Sequence, residues 1–101
     1  MTKSIRKEIL GTATEMIVDE REEEYGPPDY NFHVAAKLID AFVDCRNKIT
    51  PRDVAIILSL VKLARILTRP NKTVSASTFD SYVDMAGYIA IAAELDYDEI
   101  E

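Results

Sequence analysis

The sequence predicts an all-α fold, a single four-helix bundle-like domain. Three observations predict it. Apolar residues recur at three- and four-residue spacing in four stretches, start and stop signals separate those stretches, and no run alternates apolar with polar residues as a half-buried strand would. At 101 residues with 48% hydrophobic content, the chain is long enough for one core and too short for two.

The first helix is expected over about residues 4–24, from the stripe Ile9, Leu10, Ala13, Met16 and Ile17. "YGPP" ends it, with Gly26 as a permissive terminus and Pro27 and Pro28 unable to donate the amides a continuing helix needs. The second helix, about 30–46, follows the stripe Val34, Ala35, Leu38, Ala41, Phe42 and Cys45, with Asp29 or Asn31 as N-cap.

Thr50, Pro51 and Asp53 make a capping-box-like opening for the third helix, 51–67. This helix is apolar almost all round, broken by Ser59, Lys62 and Arg65, which makes it the central helix of the domain or of an oligomer. "RPNKTVSAS" reads as a loop, and Ser77 with Asp80 signals the fourth helix, about 78–95. Ala86, Gly87, Ala90 and Ala93 are small enough to admit a neighbouring helix, and the acidic tail 96–101 is expected to fray.

Lys62 and Arg65 on the third helix, and Asp80 and Asp84 on the fourth, are polar residues that need an explanation. In an antiparallel hairpin turning near residue 73, facing residues have numbers summing to about 146. Lys62 then faces Asp84, and Arg65 faces Asp80. One reading is an ion-pair lattice that fixes the register of the hairpin. The other is a pocket in which Lys62 and Arg65 take phosphate oxygens while Asp80 and Asp84, with Glu20 or Glu24 from the first helix, hold Mg²⁺. Tyr88 continues the 80, 84, 88 row, either stacking on a base or packing the core.

Most of the carboxylates in "VDEREEEYGPP", including Asp19, Glu22 and Glu23, read as a solvated helix face, while Tyr25, Tyr30 and Phe32 are expected to pack the turn. His33 has no second histidine or cysteine at ligand spacing, which argues against zinc, and Cys45 reads as a structural thiol. The net charge of -6 disfavours a direct grip on DNA or RNA, although a magnesium-chelated nucleotide remains compatible. With one cysteine, no leader pattern and no apolar run long enough for a bilayer, the chain reads as cytoplasmic, with no membrane partner. A domain this small without disulfides is expected to complete its core as a homo-oligomer.

Three segments in order, "DEREEEYGPPDYNF", "ITPRDVAIILSLVKLARI" and "DSYVDMAGYIAIAAEL", resemble a small, largely uncharacterised family encoded by tailed phages and prophages. The resemblance covers roughly residues 16–95 and carries Arg21, Tyr25, Asn31, Lys62, Arg65, Asp80, Asp84 and Tyr88 as a polar signature. The arrangement is also similar to phage nucleotide-modification-associated domains and, more distantly, to MazG-like all-α nucleoside triphosphate pyrophosphohydrolases. Those enzymes hold Mg²⁺ with Glu-x-x-Glu and a later Glu-x-x-Asp. Glu20 and Glu23 match the first half, but Asp80 and Asp84 are four apart, so the second half is not met.

The resemblance implies a phage or prophage accessory protein that binds a nucleotide, with Mg²⁺ and hydrolysis as further expectations. Arg65 and Lys62, with Arg21, Tyr25, Asn31 and Tyr88, would contact the nucleotide. The alternative is a non-enzymatic acidic protein that inhibits a host factor or sequesters a signalling nucleotide. In either case it would act in the host cell cytoplasm.

Overall fold

The structure, a computed structural model, describes residues 4–16, 27–70 and 74–100. Among the described residues it holds four helices and no strand: α1 (Ile5–Thr14), α2 (Pro28–Asp44), α3 (Pro51–Leu67) and α4 (Ala76–Ile100). The stop expected at "YGPP" and the end of the first helix fall mostly outside the described residues.

α3 has the boundaries its sequence predicts, and its start is fully capped. The Thr50 hydroxyl accepts from the Asp53 amide at 3.3 Å, and the Asp53 carboxylate accepts from the Thr50 amide at 3.0 Å. Two of the donors a helix start would leave orphaned are thereby satisfied, and Pro51 at the first helical position had none to lose. α3 is the central helix, packing against α4 along one side and α2 along another.

The other starts differ from expectation. α2 begins at Pro28, with Pro27 as N-cap and no side-chain cap bond, so the Pro pair opens this helix. Asn31 is inside it, buried, its Nδ2 donating to the Pro27 carbonyl at 3.4 Å. α4 begins at Ala76 because Ser75 and Thr78 make the reciprocal cap. The Ser75 hydroxyl accepts from the Thr78 amide at 3.3 Å, and the Thr78 hydroxyl accepts from the Ser75 amide at 3.2 Å. The first α-type bond of the helix, from Phe79 N–H to the Ser75 carbonyl, fixes the register two residues earlier than Ser77 would. At the far end the helix runs on to Ile100, so the acidic tail through that residue is helical where fraying was expected.

The fully buried part of the seam between α3 and α4 is built from small residues. Thr78, Ser81, Met85, Tyr88, Ala92 and Leu95 follow a strict three-four alternation along α4, and they are its buried or half-buried row. Facing them, Ala55, Ser59 and Ala64 of α3 are buried. Side chains this small let the two backbones come close. They also leave little apolar bulk inside: the buried hydrophobic residues among those described are Ala35, Ala55, Ala64, Ile66 and Ala92. The radius of gyration is 16.5 Å, against about 13 Å for a compact chain of this length. Tyr30 and Phe32, expected to pack the turn, are exposed on the first turns of α2, and Cys45 is exposed as well.

Replacing Thr50 by alanine removes the hydroxyl acceptor from the α3 cap. A thermal melt should show a loss of about 1 kcal/mol, a fall in Tm of roughly 4–8 °C, with far-UV helicity retained at 20 °C.

Candidate functional site

Of the two charge pairs expected across the hairpin, Lys62 with Asp84 forms, and it is one of two ionic stations among the described residues. Lys62 Nζ of α3 lies 3.0 Å from Asp84 Oδ2 of α4. The residue numbers sum to 146, as an antiparallel pair turning near residue 73 requires. Lys62 is mostly covered while Asp84 is about half exposed, so the pair sits at the edge of the seam, where water screens it. Asp80, one turn before Asp84, is exposed. Tyr88 does not share their side; it lies half-buried on the inward row of α4. Asn31 spends its amide on the start of α2, and Arg65 is half-buried on α3.

The second station was not anticipated, and it is the more deeply buried. The Asp53 side chain is 0% exposed and meets two guanidinium groups. Arg46, just past the end of α2, donates Nε to Asp53 Oδ2 at 3.0 Å. Arg52 Nε sits 2.9 Å from Asp53 Oδ1, a charge contact whose angle falls short of a hydrogen bond. Arg52 then reaches across the seam, its Nη1 donating to Asp96 Oδ2 of α4 at 3.0 Å. The Asp53 carboxylate thus ties the end of α2 to the start of α3, and Arg52 beside it carries the tie to the last turns of α4. Arg52 and Asp96 sum to 148, so the register that pairs Lys62 with Asp84 carries signal for this contact too.

Burial pushes the Asp53 carboxyl up, because a charge loses its water there. The Thr50 amide and hydroxyl and the Arg46 guanidinium more than offset that, and they hold it below the ordinary carboxylate range. Everything about the station serves cohesion: two cations and two anions, three helix ends, and no open face on the central carboxylate.

Among the described residues, no group of three or more histidine, cysteine, aspartate or glutamate side chains is placed to hold a metal ion. Glu20, Arg21, Glu24 and Tyr25 lie outside the described residues. Two open concavities lie along α1: one is lined by Glu8, Ile9, Thr12, Ala13 and Met16, the other by Ser4, Lys7, Glu8, Gly11, Thr12 and Glu15. No described helix is long and apolar enough to cross a membrane.

Comparison with known proteins fits the phage resemblance. A family model described as "Domain of unknown function (DUF6378)" matches residues 8–96, which contain both stations. The chain belongs to this family. Two curated relatives of this DUF6378 chain are the Gene 55 protein of Mycobacterium phage L5, 32% identical over 93 residues, and the Gene 55 protein of Mycobacterium phage D29, 31% identical over 93 residues. The match takes in 92% of this chain in each case, and 55% and 56% of the relatives, so the chain spans about half their length. These relatives make the DUF6378 chain a phage-associated protein. No solved structure matches it.

Two outcomes follow from the stations. Asp53 is held ionised, its carboxyl depressed in the folded state, so its contribution to stability is complete above the unfolded value and disappears as pH falls through the folded one. Helicity and Tm should be flat from about pH 5 to 8 and decline below about pH 4, and Asp53→Asn should lower the plateau and flatten the acid limb. Asp84→Ala, by contrast, breaks a half-exposed pair and should cost less than about 1 kcal/mol in a chemical denaturation curve.

Proposed function

We propose that this protein is a phage-encoded interaction module, acting in the host cytoplasm by binding a host protein rather than by catalysis. The observation that supports the reading best is α1. Its apolar residues lie on helical spacing, yet Ile5, Ile9 and Leu10 are 61–66% exposed and no residue of the helix is buried. An amphipathic helix with a bare apolar face is the form in which a helix docks into a partner's groove, through anchors at this spacing. The open concavity along Ile9, Ala13 and Met16 lies on the same face. Acidic composition, with a net charge of -6, suits a basic partner surface and speeds encounter with it.

Capture from host lysate on immobilised protein tests this. Wild-type protein should retain one or a few host proteins, and Ile9→Glu should lose them without a change in Tm, since Ile9 is already exposed. Identical capture by both proteins, or none by either, would refute the reading.

A second reading, Mg²⁺-dependent nucleotide binding, draws on Asp80 and Asp84, exposed one turn apart on α4 with Lys62 across the seam. Arg65 would supply a further cation, and Glu20 or Glu24 further carboxylates. A nucleotide at a hundred times its dissociation constant would raise stability by about 2.7 kcal/mol. The interaction reading expects no thermal shift from any nucleoside mono-, di- or triphosphate, with or without Mg²⁺. A clear shift that Asp84→Ala abolishes in a folded protein would put nucleotide binding in its place.

A further inference from the structure

We draw no further inference here: the strongest candidate, the exposed apolar row Phe79, Val83, Ala86, Ala90, Ala93 and Tyr97 on the outer face of α4, is an unpartnered helix face, and nothing in the structure shows what covers it.

Discussion

The fold rests on one buried carboxylate. Asp53 closes the capping box of α3, accepts a hydrogen bond from Arg46 at the end of α2, and holds Arg52, which in turn reaches Asp96 on α4. Asp53 and Arg52, adjacent in the first turn of α3, together connect three helix ends. A buried ion is stable only when its lost hydration is replaced, and here hydrogen bonds from the Thr50 amide and the Arg46 guanidinium replace it, with the Arg52 charge alongside. The depressed carboxyl is the record of that replacement: the hydrogen bonds and charges outweigh the burial. Because α2 and α4 both pack on α3, fixing the first turn of α3 against each of them sets the register of these three helices.

That register determines what the rest of the surface looks like. The alanine, serine and threonine residues of the α3–α4 seam draw the helices close but consume little apolar area. The larger apolar side chains of α1 and of the outer face of α4 are left in water. A domain that encloses so small a core has a limited stability of its own, and completing that core with another chain is the direct physical remedy. The exposed apolar faces and the small interior are thus two sides of one allocation of residues.

Much of this was legible in the sequence, and the reasons differ by element. Thr50, Pro51 and Asp53 specify a helix start locally, within four residues, and α3 begins where they say. The hairpin register follows from the constant rise of two opposed helices, which is why the sequence alone pairs Lys62 with Asp84. The same rule reaches Arg52 and Asp96, but the expected end of the fourth helix at residue 95 put Asp96 in a frayed tail. Arg46 was hidden for another reason: its partner lies across a short turn, and nothing periodic marks it. The start of α4 was misplaced because Ser77 with Asp80 and Ser75 with Thr78 are both capping signals, and tertiary packing chooses between them. Asn31, a candidate cap in the sequence, bonds the first turn of its own helix from inside it, and Tyr88, left open between a base and the core, is half-buried. The row 80, 84, 88 is real as spacing, but its last member is turned toward α3.

Native-state amide hydrogen exchange on Asp53→Asn is the most direct measurement of this account. If Asp53, through Arg52, ties three helix ends together, protection should fall in concert near the end of α2, through the first turns of α3 and over the last turns of α4. Amides around Lys62 and Asp84 should keep most of theirs. A loss confined to the amides next to Thr50 and Asp53, with the ends of α2 and α4 as protected as before, would contradict it: the carboxylate would then be a helix cap and nothing more.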